Sequence, residues 1–592
     1  MKQHIIHILK DRVKKYGDRE VFRFRRRNEK EYSSLSWNEL NKDVDSVSKA
    51  LIHLGFGYNS KIGIFGDNSP KWSIADYGIM GIRGVVVPFF GTATKEQVKY
   101  IVDETEMELM FVGNEEQMEK AKWVSDQTKS LSHIVVFDDD IQLPDKRFKT
   151  WAAFIDLAEK VEDDKLKRVF NEVQADDLAT IIYTSGTTGE PKGVMLGHDN
   201  FIHAFAIHDE RLDVTDKDIS MCFLPLSHVF ERTWSFYMLY KGVVNVLLEN
   251  PREVIDVLPV IRPTMMCTVP RFFEKTKEGI ELEYEKWPKS KQNIFNWSIA
   301  TGHKYSEYKS RSAKAPVFLQ IKKAIADKLV LKKLRGIFGG NIRMMPCSGA
   351  AIRPELLKFF HATGLFVNFG YGATETTATV SCFKSDVYNF NSCGTIMPDV
   401  EVKLGAENEI LVKGKTVFRG YYNKAAETAK VLVDGWYKTG DEGQFAEDGN
   451  LVMKDRIKDL FKTSVGKYVS PQKIELLLGQ DPYIEQIISI GDNRKYITAL
   501  IVPTMASLIV YAKEAGLNYT SDEHLVSMVE IKEMMQKRID MLQKGLASYE
   551  RIVKFELLHE AFTVDNNAMT STLKIKRNII INKYKELIES MY

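Results

Sequence analysis

The chain has 592 residues, of which 44% are apolar and 27% charged, so it is long enough for several globular domains. Its formal net charge of +2 gives no overall attraction to nucleic acid, and we expect no nucleic-acid partner. The five cysteines form no CxxC pair, which argues against a disulfide framework or a zinc site and favours a reducing compartment.

The sequence gives no sign of a membrane-spanning segment. The apolar run near the start is too short for a signal peptide, and no later stretch approaches the length of a transmembrane helix. We therefore expect a cytoplasmic protein, for which any membrane contact would be peripheral and at the inner face.

Helical and strand patterns alternate along the first part of the chain, which predicts a largely parallel sheet. The same alternation returns at residues 178–270 and 342–369. The first predicted elements are helices at 38–54, 72–80 and 96–103 and strands at 61–65, 85–88 and 108–112.

The most informative segment is the loop at residues 183–193, with the sequence YTSGTTGEPKG. Its glycine N–H groups, hydroxyls and lysine favour a phosphate-binding loop, whereas a plain Gly/Thr/Ser hairpin turn is rarely this long. Because Pro191 replaces the glycine of the G-x-x-x-x-G-K-[ST] pattern, we expect strand–loop–strand rather than strand–loop–helix. The candidate phosphate ligands are Thr184, Ser185, Gly186, Thr187, Thr188, Gly189 and Lys192.

Residues 272–335 are predicted to be helical, and their second half is rich in basic residues. Over residues 304–335 the acids are only Glu307 and Asp327. A solvated helical surface is the simpler interpretation, and a basic face for anionic lipid or for a phosphorylated cofactor is the alternative. The basic residues are Lys304, Lys309, Arg311, Lys314, Lys322, Lys323, Lys328, Lys332, Lys333 and Arg335.

Beyond residue 400 the pattern is rich in strands and turns, with hairpin signals at Asp434-Gly435 and Asp448-Gly449. A compact α+β segment follows. We predict an N-terminal domain at 1–456, with subdomains at about 1–175, 176–395 and 396–456, and a C-terminal domain at 457–592.

Four further segments accompany the glycine-rich loop, in a fixed order along the chain. They are LPLSHVFER at 224–232; SGAA at 348–351 with NFGYGATET at 368–376; YKTGD at 437–441 with DRIKD at 455–459; and TSTLKIKR at 570–577. With this ordered set the chain resembles the adenylate-forming (AMP-binding) superfamily over roughly residues 35–577. It looks most like the long-chain fatty acyl-CoA synthetases, because of HVFER after LPLS, the helical insertion after residues 269–274, and the TLKIKR ending.

The resemblance implies an α/β fold, with a large N-terminal domain of mixed sheets flanked by helices, a small β-rich subdomain, and a small mobile α+β C-terminal domain. It also implies two half-reactions. A fatty carboxylate attacks the α-phosphate of ATP to give acyl-AMP and pyrophosphate, and the thiol of coenzyme A then takes the acyl group and releases AMP. ATP, Mg²⁺ and coenzyme A are therefore expected, with a fatty acid as the substrate.

The resemblance assigns the phosphates and the metal to two segments. The loop from Thr184 to Lys192 would hold the β- and γ-phosphates. Glu375 would bind Mg²⁺, with Thr374 and the hydroxyl of Thr184 completing the contacts. Without the flanking Tyr-Gly-Ala-Thr, Glu375 would be interpreted as an ordinary surface acid.

The resemblance assigns the nucleoside to two of these segments, the one at 348–351 with 368–376 and the one at 437–441 with 455–459. Asp441 would accept hydrogen bonds from the ribose hydroxyls beside Arg456, although an Asp after a glycine is also a common turn residue. Small residues would let adenine lie against the backbone, with close strand packing as the alternative explanation. The residues implied in adenine binding are Gly349, Ala350, Ala351, Gly370, Tyr371, which could stack on the ring, and Gly372.

Lys574 is implied as the catalyst of adenylation, with Lys576 and Arg577 as neighbouring alternatives. His228 would orient the acyl carboxylate, and Phe230 and Trp234 could border an apolar tunnel. The adjacent Arg232 could neutralise Glu231, which would favour a plain fatty acid.

The C-terminal domain is expected to rotate about Lys458, bringing the loop that contains Gly466 to the thiol tunnel. Ser571 stands where many relatives have proline, a change that should loosen the loop slightly.

Two other functions stay open at the level of sequence. One is an acyl-AMP ligase that loads a carrier protein. The other is a non-catalytic scaffold, which would be expected to lack Glu375, Asp441, Arg456 or Lys574, whereas all four are present. Some relatives dimerise, so a homodimer is also open. Acyl chain length cannot be predicted.

Overall fold

The computed structural model describes residues 4–25, 29, 31–184, 190–457, 460–464, 467–570 and 574–592. The predicted phosphate ligands Ser185, Gly186, Thr187, Thr188 and Gly189 lie outside these residues. So do the predicted hinge Lys458, Gly466 and Ser571.

The strands form several sheets and carry most of the motif segments at their ends. In chain order they are β1 Glu20–Phe24, β2 Ser33–Ser36, β3 Lys61–Phe65, β4 Val85–Phe89, β5 Leu109–Val112, β6 His133–Val136, β7 Phe148–Thr150, β8 Leu178–Thr184, β9 Lys192–Gly197, β10 Ile219–Cys222, β11 Val244–Leu247, β12 Met265–Met266, β13 Met345–Cys347, β14 Val367–Tyr371, β15 Ser381–Cys382, β16 Thr395–Ile396, β17 Glu401–Leu404, β18 Glu409–Lys413, β19 Leu432–Val433, β20 Trp436–Phe445, β21 Leu451–Arg456, β22 Phe461–Lys462, β23 Tyr468–Val469, β24 Ile484–Ile490, β25 Ile497–Pro503 and β26 Ile552–Leu557.

Helices cover the sheets and form the predicted insertion. The α-helices are α1 Ile5–Tyr16, α2 Trp37–His53, α3 Pro70–Gly81, α4 Lys95–Thr105, α5 Glu115–Ser125, α6 Trp151–Ile155, α7 Asp163–Glu172, α8 His198–Arg211, α9 Val229–Lys241, α10 Val254–Ile261, α11 Pro270–Glu285, α12 Lys289–Lys309, α13 Val317–Ala326, α14 Lys332–Ile337, α15 Pro354–Thr363, α16 Ala425–Val431, α17 Pro471–Leu478, α18 Met505–Glu514, α19 Asp522–Ser527, α20 Val529–Leu542, α21 Arg577–Lys583 and α22 Lys585–Ser590. Short 3-10 turns lie at Asp156–Lys160, Pro251–Glu253, Thr374–Thr376, Ala406–Asn408, Gln543–Gly545 and Ser548–Glu550, and a π-helical turn lies at Asp327–Leu331.

The helices begin where short polar side chains cap them. Ser36 and Glu39 form a capping box at the start of α2, and Thr94 and Gln97 form another at α4. Ser69 caps α3, with Pro70 in the first turn. The helices and strands predicted between residues 38 and 112 are therefore confirmed, with ends shifted by a residue or two.

The largest sheet has the strand order β7-β6-β5-β3-β4-β8-β9. It is parallel except for its last pair, since β9 returns antiparallel to β8 after the glycine-rich loop. This arrangement confirms the predicted strand–loop–strand at the described ends of the loop and the predicted α/β class.

A second sheet has the order β12-β10-β11-β1-β2, and a third has β13-β14-β15-β16. Strands β13 and β14 are parallel neighbours. Because the carboxyl ends of parallel strands meet at one edge of a sheet, the segment after Cys347 and the segment after Tyr371 come together. Two of the motif segments thereby share one edge.

Smaller antiparallel sheets follow. Strands β17 to β21 form the predicted β-rich segment, with the hairpin turns at Asp434-Gly435 and Asp448-Gly449 as expected. The apolar clusters of the described residues either end by Met453 or begin at Phe461. The predicted boundary at 456/457 lies in that interval. In the part of the chain that the structure describes, no helix is both long and apolar enough to span a bilayer.

Candidate active site

The two ends of the glycine-rich loop are held together by strand pairing. Thr184 ends β8, Lys192 begins β9, and the two residues are partners in the antiparallel register. The hydroxyl of Thr184 donates to the carbonyl oxygen of Lys192 over 3.4 Å. Because residues paired across strands direct their side chains to the same face of a sheet, the side chains of Thr184 and Lys192 lie on one face.

Tyr421 lies between the predicted phosphate lysine and the predicted metal ligand. Its hydroxyl donates to Oε1 of Glu375 over 2.9 Å, and Nζ of Lys192 lies 5.1 Å from the centre of its ring. Lys192 also pairs with Glu427, with 2.9 Å between Nζ and Oε2. The structure thus brings Lys192 and Glu375 together around one aromatic ring. Neither Tyr421 nor Glu427 was identified from the sequence.

Glu375 sits in a 3-10 turn directly after β14. Burial raises the pKa of its carboxyl group, while the Tyr421 hydroxyl and the Arg456 guanidinium oppose that rise. Within the described residues no Lys, Arg or His forms an ion pair with this carboxylate. Thr374, beside it, is buried.

These residues fit a magnesium ion carried on a triphosphate better than an all-protein metal cage. Among the described residues, no group of three or more His, Cys, Asp and Glu side chains is arranged to hold a metal ion. Mg²⁺ commonly uses one or two carboxylates, keeps several waters and takes its remaining ligands from substrate phosphates. Glu375 with the hydroxyl of Thr184 would match that pattern.

Asp441 is the centre of a second polar cluster. Its Oδ2 accepts a hydrogen bond of 2.6 Å from the hydroxyl of Tyr371, and its Oδ1 lies 3.5 Å from Nε of Arg456. The register of β20 and β21 places Asp441 directly opposite Arg456. The Tyr371 ring is buried, and its hydroxyl is bound to Asp441. The stacking of this ring on adenine stays a prediction.

The small residues of the two strand ends differ in what they allow. Gly349 has φ +91°, and a Cβ built on it would meet only a Val269 methyl at 3.9 Å, so the space above its backbone is open. Ala350 and Ala351 are exposed beside it. In contrast, a Cβ on Gly370 would lie 2.5 Å from the Ser381 carbonyl oxygen. Close strand packing therefore explains that glycine.

Gly372 is packed more tightly still. A Cβ built on it would lie 1.5 Å from the carbonyl oxygen of Ala378. The open segment at 349–351 is thus the one with room for a flat ring, and the role of all these residues in binding adenine stays a prediction.

His228 caps the N-terminus of α9, and its Nδ1 accepts a hydrogen bond of 3.2 Å from the backbone N–H of Phe230. That bond assigns the proton of the neutral ring to Nε2. Burial, with a smaller effect from the ammonium of Lys574, lowers the pKa of His228 to about 4. The ring is therefore neutral near pH 7.

The loop before His228 is held by Asn68, which lies between β3 and α3. The amide nitrogen of Asn68 donates to the Leu224 carbonyl over 2.8 Å, and its Oδ1 accepts from the Leu226 backbone N–H over 3.0 Å. These two hydrogen bonds to one loop hold the segment that leads into α9, and they thereby fix the position of His228. Asn68 could not be identified from the sequence, because its partners are far away along the chain.

Lys574 is exposed, and its charge acts on His228 across the domain boundary. The neighbouring basic residues have contacts within their own domain. Lys576 donates to Oδ1 of Asn567 over 2.5 Å, and Arg577 pairs with Glu475 over 2.8 Å. Of the three basic candidates in the last motif, Lys574 is the one whose charge acts on His228, and its role as the catalyst stays a prediction.

A narrow cavity lies between α9 and the third sheet. It has a volume of about 30 Å³, room for roughly one water molecule. Phe230 and Trp234 line it from α9, and Ser348 and Tyr371 line it from the strand ends. The buried amide oxygen of Asn368, also in its wall, has no hydrogen-bond partner within the described residues.

Glu231 and Arg232 are not paired with each other, which corrects the expectation from the sequence. Arg232 points to a different side of α9, where it forms a buried ion pair with Asp76 and donates to Thr180 over 2.6 Å. Glu231 is fully buried, and neither carboxyl oxygen accepts a hydrogen bond of good geometry within the described residues. Weaker contacts with Cys222, Leu224 and Ser235 oppose only part of the effect of burial on its pKa. Adjacent residues on a helix point about 100° apart, which is why neighbours in sequence are not partners.

Replacing Glu231 with glutamine is expected to stabilise the protein at pH 8 and to change little at pH 5. Burial raises the pKa of Glu231 from its ordinary 4.5 to about 8. Between pH 4.5 and about pH 8, the Glu231 carboxyl group keeps its proton in the folded state and has lost it in the unfolded state. The free energy of unfolding of the wild type therefore falls as pH rises through this range. We expect a gain of roughly 2–5 kcal/mol for Glu231→Gln at pH 8. Urea unfolding at both pH values measures it.

The matched control is Glu530→Gln, which makes the same chemical change at an exposed position of α20. It should follow the wild type at both pH values. If Glu231→Gln also follows the wild type at pH 8, the carboxyl group is not held neutral by its burial.

Comparison with known proteins identifies the family of the chain. The AMP-binding enzyme family matches residues 9–422, and the AMP-binding enzyme C-terminal domain matches residues 458–592. Long chain acyl-CoA synthetase 1 of Arabidopsis thaliana is 30% identical over 98% of this chain and 91% of its own length. Long-chain-fatty-acid–CoA ligase 1 of Homo sapiens is 30% identical over 96% of this chain and 83% of its own length.

Solved structures share the fold at lower identity. The A domain of carboxylic acid reductase from Segniliparus rugosus, in complex with AMP, has a TM-score of 0.74 at 21% identity, covering all of this chain and 94% of that one. The anthranilate CoA ligase AuaEII has a TM-score of 0.73 at 17% identity, covering 99% and 98%. The resemblance expected from the five motifs is confirmed: the chain belongs to the family of AMP-binding, adenylate-forming enzymes.

Proposed function

We propose that this chain joins a long-chain fatty acid to AMP, using ATP, and then transfers the acyl group to coenzyme A. The observation that carries the proposal is the cluster around Tyr421, which joins Lys192 of the glycine-rich loop to Glu375. The named relatives, which are long-chain fatty acid–CoA ligases, support the choice of substrate and acceptor.

On the phosphate side of the site, Lys192 would exchange its carboxylate partner for the phosphates of ATP. Lys192 is held by Glu427, and the pKa of that carboxyl is lowered to about 2, chiefly by Lys192. On binding of ATP, the β- and γ-phosphates would compete with Glu427 for the ammonium group. A magnesium ion held by Glu375 and the hydroxyl of Thr184 would neutralise phosphate charge when bound.

The nucleoside side would use the cluster around Asp441. A carboxylate can accept several hydrogen bonds, so Asp441 would accept from the ribose hydroxyls in addition to the Tyr371 hydroxyl. Arg456 keeps the carboxylate oriented from the neighbouring strand. Adenine would lie over the open backbone of Gly349, Ala350 and Ala351.

At the reacting carboxylate, His228 would donate from Nε2 and Lys574 would supply a positive charge. A neutral imidazole can donate one hydrogen bond without requiring a counter-ion, and its orientation is already fixed by the Phe230 N–H. Lys574 would bring the carboxylate and the α-phosphate together and stabilise the charge that develops as the new P–O bond forms.

The acyl chain would enter the cavity lined by Phe230 and Trp234. At about 30 Å³ this cavity is far smaller than a long acyl chain, so an indole or phenyl ring must turn aside on binding. For transfer to coenzyme A, Lys574 would leave the site as residues 457–592 rotate about Lys458, and the loop with Gly466 would line the thiol path.

The test is pyrophosphate release with ATP and magnesium across carboxylic acids from acetate to oleate. We expect release to rise with chain length and acyl-CoA to form when coenzyme A is added. Acyl carrier protein in place of coenzyme A separates the ligase from a carrier-loading enzyme. Failure to form acyl-AMP from any acid would overturn the proposal, and acyl transfer to the carrier protein alone would replace its second half.

A further inference from the structure

Helix α13 exposes its apolar side to solvent. Val317, Phe318, Ile321, Ile325 and the following Leu329, together called the α13 face, are between 45% and 72% exposed. The four within α13 span about 100° of the helix circumference at 3.6 residues per turn. Against the protein the helix instead packs its buried Ala326. A contiguous exposed apolar face of this kind marks a site of interaction.

Lysines surround the α13 face. Residues 304–335 hold ten of the chain's 82 basic residues and only two of its 80 acids. Of these acids, Asp327 is already paired with Lys323 over 3.1 Å and with Arg335 over 2.7 Å. Among the other eight basic residues, the five lysines nearest the α13 face form no ion pair within the described part of the chain: Lys314, Lys322, Lys328, Lys332 and Lys333.

One lysine is directly associated with the apolar ring of the face. Nζ of Lys322 lies 4.3 Å from the centre of the Phe318 ring. A long side chain with an apolar stem and a charged end can follow an apolar surface while its ammonium stays at the polar boundary. The arrangement matches a helix that lies in the plane of a membrane interface, with apolar side chains below and lysines at the headgroups.

We propose that the α13 face docks on a lipid bilayer with anionic headgroups. The charges decide between this occupant and a second copy of the chain. A two-fold symmetric dimer through the α13 face would set one lysine-rich surface against its identical copy, with Glu307 and the already paired Asp327 as the only acids of residues 304–335. A bilayer with anionic headgroups complements both the apolar side chains and the lysines. Each lysine near such a surface strengthens binding by roughly fivefold.

Docking itself does not depend on the proposed function. That function gives it a use, because long-chain fatty acids partition into bilayers and an enzyme seated there meets its substrate directly. The face lies on the helical layer that packs on α15, outside the residues placed in the active site.

The experiment is sedimentation of the full chain with vesicles, in the absence of ATP, fatty acid and coenzyme A. We expect binding to phosphatidylcholine mixed with phosphatidylglycerol, little binding to phosphatidylcholine alone, and release at high salt. The double variant Phe318→Asp and Ile321→Asp should weaken binding by at least about tenfold.

The matched control is Val510→Asp with Val529→Asp, which adds the same charge at apolar side chains that are 55% and 65% exposed in the C-terminal part. It should bind as the wild type does. The proposal is overturned if the wild type does not bind, if both double variants lose binding equally, or if Phe318→Asp with Ile321→Asp only converts a dimer to a monomer. Acyl-AMP formation measured in parallel reports on the proposed function separately.

Discussion

An alanine in place of Lys574 is expected to slow acyl-AMP formation by about 10²–10³-fold. Thioester formation from supplied acyl-AMP should stay within about threefold of the wild type, because Lys574 is withdrawn in that step under the proposed rotation. The reason for the large first effect is electrostatic, since two anions must meet at the α-phosphate and the ammonium is the group that reaches both. Pyrophosphate release without coenzyme A, and acyl-CoA formation from synthetic acyl-AMP, measure the two steps.

The control is Lys576→Ala, in the same segment and with its own partner in Asn567. It should leave adenylation near the wild-type rate. Equal loss of both half-reactions in Lys574→Ala, or equal loss in the two variants, would contradict the assignment.

A second readout tests the proximity of Lys574 to His228 without any reaction. The Lys574 ammonium lowers the pKa of His228, in addition to the larger effect of burial. In Lys574→Ala the pKa of His228 should therefore rise from about 4, and it should stay below its ordinary 6.5 because burial remains. Histidine ring NMR across that pH range measures the shift, and Lys576→Ala should leave it unchanged.

Local patterns predicted those parts of the site that are set by strand ends. The glycine-rich loop is flanked by β8 and β9 as expected, and the motifs after β13 and β14 share a sheet edge because these strands are parallel neighbours. Periodicity and turn residues are local properties, so they can be identified from one sequence.

The supporting partners could not be predicted, because each comes from a distant part of the chain. Tyr421 contacts both Lys192 and Glu375, and Asn68 holds the loop before His228. Asp76 forms an ion pair with Arg232. None carries a motif of its own. Such pairings depend on which strands are neighbours in space, which a single sequence does not specify.

The wrong expectation for Glu231 and Arg232 has the same origin. Adjacency in sequence suggested a pair, whereas a helix directs neighbouring side chains to different sides. Arg232 and Asp76 are 0% and 1% exposed, so this ion pair lies wholly in the core between α9 and α3. The pairing also anchors the helix that begins at His228.

The second large effect is expected from Arg232→Met. It should reduce the free energy of unfolding by about 3–5 kcal/mol, because it leaves the Asp76 carboxyl buried without its cation. Burial already raises the pKa of Asp76, with Arg232 opposing that rise. Loss of the arginine raises the pKa further, so the deficit relative to the wild type should shrink as pH falls and the carboxyl is protonated. Urea unfolding at neutral and acidic pH measures both.

The double variant Asp76→Asn with Arg232→Met separates a lost ion pair from lost packing. With no charge left in the core, it should recover most of the stability that Arg232→Met loses, since the penalty comes from the unpaired carboxylate. If the double variant is as unstable as the single one at every pH, the guanidinium acts mainly by packing against the Trp72 and Phe236 rings, whose centres lie 5.6 and 5.3 Å from it. In that case the lower stability would come from the poorer packing of methionine, and not from the unpaired Asp76 carboxylate.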